Sequence, residues 1–394
     1  MSGEEVLTSE GMRFRRTARA WKPCPLAELP DEVLSRAREV GVKTDGTDRA
    51  GSYFQIDHSV IFARVQEAFE GKVEVMSVRE ASERYGWVED LMWSLVSRDA
   101  DEYTRLAAER LDNGYFFRVL ENQRVTIPLQ ACLFISTEGL NQNVHNIVIA
   151  EPGSEVQIVT GCTVHPNVGK GLHVGITEFF VRENARLTFT MIHGWSEGLV
   201  VRPRSAALLE DGATFVSNYV SLRPVESLQM FPVACCRGEN SRAVFSSIIY
   251  GSGSSKIDAG AKILLEGAGS RGEIISRVVS TDRAEITARG LLVGRKPGTR
   301  GHLECMGLML SEHGAIRALP ELVAEVKGTE LSHEAAVGKI AEDHIFYLMT
   351  RGFSEEEARS LIVRGFMSPE ILGLPEPLKI EIDRMIELVT RGKL

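Results

Sequence analysis

No run of about 18 apolar residues occurs in this 394-residue chain, so no segment reads as a membrane-spanning helix. The N-terminal stretch MSGEEVLTSEGMRFRRTARAW lacks the apolar core of a secretory signal, and the expected location is the cytoplasm. An excess of positive charge is missing too. The net charge is −9 and the pI is near 5.6, which argues against nucleic acid or a membrane surface as the main partner. Six cysteines stand at 24, 132, 162, 235, 236 and 305, yet no CxxC and no regular framework joins them. That pattern indicates neither a zinc ribbon nor a disulfide scaffold, and in a reducing compartment these residues are thiols. The GxxxxGK[ST] phosphate loop is absent, so ATP-linked motion would have to come from a partner. A β-helical carbohydrate-active enzyme would want clustered carboxylates on one face, and no such Asp array appears.

What is present is ordinary for a soluble globular protein: 43% hydrophobic and 25% charged residues. The length exceeds one compact core, and two or three regions are expected. Residues 1–114 read as mostly helical. Asp31 is placed to cap DEVLSRAREVGV, Ser77 and Glu80 have capping-box spacing, and DADEYTRLAAERLDNG stops on Asn113-Gly114. GSYFQIDHSVIF between them reads as a short extended segment.

Residues 115–334 have a different texture. Turn signals recur (EPGS at 151, ENAR at 183, EDGA at 210, ENSR at 239, DAGA at 258, TDRA at 281, EHGA at 312), and β-type runs such as EVQIVTGCT, LTFTMIHGW and EITARGLLVG follow them. The 21–32-residue spacing suits coils of short strands stacked into a solenoid, each burying its apolar face only against its neighbours. Gly, Asn and Asp at the corners would supply the positive φ of tight bends. A β-sandwich gives a similar texture and is not excluded by periodicity. Residues 335–394 read as short helices: AAVGKIAEDHIFYLMTRG, then FSEEEARSLIVRGF with Ser354 and Glu357 in a capping box, then KIEIDRMIELVTRG after the Pro-rich SPEILGLPEPL. At the seam, His333 and Glu334 sit side by side, with Cys305 lying 29 residues before Glu334. Cys235-Cys236 is a poor ion site, because adjacent strand residues point to opposite faces.

The stretch TELSHEAAVGKIAEDHIFYLMTRGFSEEEARSLIVRGF, with VTGCTVH at 159–165, EFFVRENARLTFTMIHGWS at 178–196 and TIPLQACLFI at 126–135, resembles the SufB/SufD family of the Suf iron–sulfur cluster assembly machinery. The resemblance implies a right-handed parallel β-helix core at 115–334 between N- and C-terminal helical regions, which favours the solenoid over the sandwich. It implies a scaffold subunit that builds a transient iron–sulfur cluster, expected as 4Fe–4S, at a subunit interface and passes it to apo-proteins. Implied partners are a SufC-type ABC ATPase, a second copy or a SufB/SufD paralogue, and a sulfur donor protein. Whether a flavin takes part is left open.

In residues, SHEAAVGK matches the HEA of SufB where SufD-like chains tend to have SHGA, and Cys305 falls where SufB has its cluster-associated cysteine. Cys305, Glu334 and His333 are therefore the candidate cluster ligands; thiolate, carboxylate and imidazole make a labile set that suits a scaffold. Cys162 matches the sulfur-accepting cysteine, with Trp195 and His193 candidates for an interior sulfur path and His165 and His193 as candidate basic neighbours. Ile345, Leu348, Phe353, Leu361 and Phe366 lie in the region that would dock the ATPase. Three positions depart from SufB: GCTAP becomes GCTVH, a Gln becomes His193, and a basic residue becomes Asp211. The mixture fits an archaeal-type single SufB/D protein acting as a homodimer; a SufD-like structural partner is the alternative. Taken without the resemblance, Cys305 in HLECMGLML reads as a small buried hydrophobe, Glu334 as a carboxylate at a helix start, and His333 as a hydrogen-bonded core histidine.

Overall fold

Alternate residues of a strand face the same way, and the runs between turns obey that period closely. In Glu285–Gly294, Ile286, Ala288 and Leu292 are buried while Thr287, Arg289 and Leu291 are partly open. A computed structural model, which describes residues 5–45, 47–372 and 376–390, stacks these runs into a parallel β-solenoid of about eight turns. Adjacent strands are in register, with Arg186 opposite Glu155 on one side and Thr214 on the other. Hydrogen-bonded partners on neighbouring coils lie 28 to 31 residues apart in sequence. Among the described residues the strands form a ten-stranded and a thirteen-stranded sheet. The inward-facing side chains fill the space between them with one continuous apolar core.

One corner shows why the coils keep step. Asn122, Asn184 and Asn240 have φ of 57°, 56° and 55°, and Gly153, Gly212 and Gly269 have φ of 67°, 64° and 69°. A Cβ on those glycines would lie 2.4, 2.3 and 2.5 Å from the Oδ1 of Asn122, Asn184 and Asn240 respectively. Each asparagine side chain thus occupies the room left by the glycine of the next coil. EPGS, ENAR, EDGA and ENSR mark this corner, while TDRA and EHGA turn at the opposite one. DAGA at 258 is no turn. It lies within Lys256–Leu265, where a Cβ on Gly260 would meet the Arg289 carbonyl oxygen at 2.1 Å.

The N-terminal region holds strands as well as helices. Helices run at Asp31–Arg38, Val78–Arg84, Trp87–Leu91 and Glu102–Glu109. Pro30, not Asp31, stands at the first cap, while Ser77 accepts from the Glu80 amide as its spacing suggested. The extended segment becomes an antiparallel pair, Gly51–Ile56 with Ser59–Val65, that continues the ten-stranded sheet.

The seam also moves. Glu330–Lys339 is a full strand paired with Arg300–Met309, and the first C-terminal helix begins only at Glu342. A preformed neighbouring edge overrides the helix preference of Ala335 and Ala336. His333 and Glu334 therefore lie mid-strand, so the helix-start reading of Glu334 does not hold. Ser354 and Glu357 do form the reciprocal capping box at Glu355–Phe366. Val363, Met367, Ile382 and Ile386 pack in one cluster with Ile248, Val279 and Leu308 of the solenoid. Within the Pro-rich joint, 373–375 lie outside the described residues.

Candidate functional site

Cys305 lies on the inward face of Arg300–Met309, between Ser276 and Ala335 of the adjacent coils. It is 1% exposed, and burial, with Glu304 alongside, pushes its thiol up to about 11. His333 is opposite Leu303, which puts it on the same face as Cys305, two positions away along the strand. Glu334 is opposite Glu304, whose side chain pairs with Arg277 on the outer face. Within one protomer Cys305 and His333 thus share a face, and Glu334 stands on the other. No group of three or more His, Cys, Asp or Glu side chains is arranged to hold a metal ion among the described residues. A cluster here would need further ligands from elsewhere.

The second candidate group is deeper. Cys162 is fully buried in the lumen, opposite His193 on the next coil. Burial pushes its thiol well above the usual cysteine range and holds His193 neutral. Trp195 completes the group, its ring centroid 5.2 Å from that of His193 and 4.9 Å from that of His173. The Tyr219 hydroxyl lies 2.8 Å from His193 Nδ1, and His173 Nδ1 lies 2.9 Å from Gln142 Oε1. His193 Nε2 and Trp195 Nε1 are buried with no hydrogen-bond partner. His165 is not part of this group, because it sits at the solenoid's rim bonded to Glu32 at 2.8 Å.

One inward row links the two cysteines. Thr160, Met191, Tyr219, Ser247, Ser276 and Cys305 are successive register partners on successive coils, and the Ser247 and Ser276 hydroxyls are 2.7 Å apart. Cys162 is on the same face, two residues beyond Thr160. Tyr219, His173, Ser247 and Ser276 were not singled out by sequence. Counting in twos from Cys162 and Cys305 along each run would have found all but His173, which comes from the opposite sheet. Near the outer ends of these strands lies a cleft of about 530 Å³ between residues 35–45, Leu222-Arg223 and the last helix.

The expected docking residues divide. Phe353 and Leu361 are 41% and 45% exposed, Ile345 is buried, and Leu348 and Phe366 are half-buried, the latter beneath the Arg277 guanidinium. Sequence missed Phe346 and Tyr347, which are 68% and 55% exposed on the same helix as Ile345. Cys235 and Cys236 do point to opposite faces, and His302 is occupied by Ser332 at 2.9 Å.

The family described as SUF system FeS cluster assembly, SufBD core domain, matches residues 133–366. An iron–sulfur cluster assembly SufBD family protein of Archaeoglobus fulgidus is 50% identical over 359 residues, covering 91% of this chain and 95% of the relative. One from Methanothermobacter thermautotrophicus is 46% identical over 369 residues, covering 93% of this chain and 89% of its own length. The iron–sulfur cluster assembly protein SufB of Bacillus subtilis is 27% identical over 387 residues, with 96% and 81% covered.

Proposed function

The chain belongs to the SufBD family of iron–sulfur cluster assembly proteins, and from that premise we propose that it is the scaffold subunit on which a labile cluster is built before transfer to apo-proteins. The observation that carries the reading is the unfinished C-terminal end of the solenoid. Glu330–Lys339 and Ala315–Ala324 are the last strands of the two sheets, each with one side unpaired. Ile316, Ala318, Leu322 and Leu331 pack onto the core yet remain half-exposed, and His333 is exposed beside them. Free ten-residue strand edges with apolar side chains behind them call for a covering partner. A second copy meeting this end would bring two sets of Cys305, His333 and Glu334 together. That would supply the ligands one protomer lacks.

In this reading the partner's Glu334 or His333 completes coordination begun by Cys305, and mixed ligation keeps the cluster transferable. Cys162 takes sulfur from a donor protein, and the row from Thr160 to Ser276 passes it inward toward Cys305. The exposed Phe346, Tyr347, Phe353 and Leu361 receive a SufC-type ATPase, whose hydrolysis cycle would open the interface.

The test is anaerobic reconstitution of the full chain with iron and sulfide, alone and with the ATPase. A charge-transfer absorption band that is lost in Cys305→Ala supports the scaffold role. A chain that binds the ATPase but stays colourless under those conditions overturns it and assigns the structural-partner role instead. Dimerisation is read independently, by sedimentation of the cluster-free protein.

A further inference from the structure

Buried polar groups without partners are rare in folded proteins, and each one asks for an explanation. Two of the eight such atoms, His193 Nε2 and Trp195 Nε1, belong to rings in edge-to-face contact beside Cys162. Tyr219 is buried as well, and its hydroxyl reaches His193 Nδ1 at 2.8 Å. A neutral imidazole has one accepting and one donating nitrogen. With Tyr219 O–H donating to Nδ1, the proton of His193 must sit on Nε2. Two N–H donors, one from histidine and one from tryptophan, then open into the same buried space as the thiol. Cys132, the nearest other cysteine in the sheet, packs with the outer cluster rather than the lumen.

We infer that His193 Nε2–H and Trp195 Nε1–H form a two-donor cradle for the terminal sulfur of a Cys162 persulfide, with Tyr219 as the positioning residue that fixes the histidine tautomer. The inference rests on reading Cys162 as the sulfur acceptor. In the loading step the Cys162 thiolate attacks the outer sulfur of a donor persulfide. The bond between Cys162 Sγ and that sulfur forms, the donor's S–S bond breaks, and the donor leaves as a thiol carrying the proton that Cys162 gave up. Cys162–SH plus R–S–S⁻ thus gives Cys162–S–S⁻ plus R–SH, with no net oxidation. The anionic terminal sulfur is the acceptor that both orphaned donors lack in the unloaded protein, just as preorganised N–H groups hold a developing oxyanion. A donor's sulfur, once delivered, would be held away from water until it moves on.

The experiment loads the full chain with inorganic polysulfide, maps sulfur on Cys162 by peptide mass, and follows its loss to a mild thiol across pH. Wild type, Trp195→Phe, Tyr219→Phe, His193→Leu and His193→Gln are compared, with near-ultraviolet circular dichroism as the fold control. Loss of one charge-assisted hydrogen bond should shorten the persulfide lifetime on the order of tenfold in Trp195→Phe and His193→Leu. In those two variants and in Tyr219→Phe, the pH midpoint for sulfur loss should rise. His193→Gln, whose amide can donate in place of Nε2, should restore most of the lifetime. Unchanged lifetimes and midpoints in folded Trp195→Phe and Tyr219→Phe would overturn the cradle while leaving Cys162 as acceptor. A wild-type chain whose Cys162 never carries sulfur would overturn the acceptor reading itself, and the cradle with it.

Discussion

At its N-terminal end the solenoid is finished by strands that run the other way; at its C-terminal end it is not finished at all. Gly51–Ile56 adds in parallel to the first coil and is met by antiparallel Ser59–Val65, and Tyr115–Val119 is met in the same way by Val73–Ser77. Behind them Tyr53, Tyr115 and Leu129 are almost wholly buried. Asp57, at the hairpin turn, accepts hydrogen bonds from the backbone and hydroxyl groups of both Ser136 and Thr137, tying the cap to the first coil. The opposite end ends on two parallel edges with half-open side chains behind them. The same coil therefore serves two purposes. Where it is covered from within the chain it is architecture, and where it is left bare, with Cys305 one coil beneath, it is an interface in waiting.

The contrast breaks most sharply under a buried charge. Leu129→Asp at the closed end should prevent folding, because an unpaired carboxylate in the core costs about 4 kcal/mol or more. Leu322→Asp at the open end should leave circular dichroism native and instead dissociate the proposed dimer, read by sedimentation. If both variants unfold alike, the ends are equally integral and the comparison fails.

Acid should find the middle of the molecule before either end. Burial pushes His173 down to about 3 from an ordinary 6.5 and lowers His193 as well. Between those limits the unfolded chain binds protons that the folded chain refuses, so stability falls as pH drops below about 6.5, by about 1.4 kcal/mol per unit for each histidine. Thermal melting from pH 7 to 5 checks this, and His173→Gln should flatten the slope.

Gly212→Ala, at the corner both ends share, should cost about 1–3 kcal/mol by forcing a side chain to positive φ against Asn184; chemical denaturation measures it. The smallest effect is at the appended helices. Ser354→Ala should lose about 1 kcal/mol of local stability through its cap, seen as faster amide exchange at Glu357.

Much of this was legible in the order of residues, for physical reasons. The period of two in LTFTMIHGW and EITARGLLVG, set between Asn and Gly corners, carries the solenoid, because each coil must bury one face and bend at fixed intervals. Ser354 with Glu357 and Ser77 with Glu80 were readable because capping is local. What escaped depends on neighbours in space. DAGA looked like a turn, but Gly260 is there for the Arg289 carbonyl of the next coil. Ala335–Lys339 looked helical until an adjacent edge claimed it. Cys305 and Glu334 were paired by their spacing, yet the spacing of 29 is one coil less one residue, and that one residue turns Glu334 to the outer face. His173 joins Cys162's surroundings from the other sheet, which no counting along a strand reveals.

The corner of interlocked asparagine and glycine has a consequence for how the chain can change. Since each Asn side chain occupies its neighbour's missing Cβ, a coil can be lost or gained only whole, in units of 28 to 31 residues. A single inserted residue would turn every lumenal side chain after it to the outside. The distance between the sulfur-bearing thiol and the open rim is therefore quantised. Descendants of this chain can lengthen the passage between Cys162 and Cys305 by a full turn or keep it as it is, and nothing between those choices preserves the register.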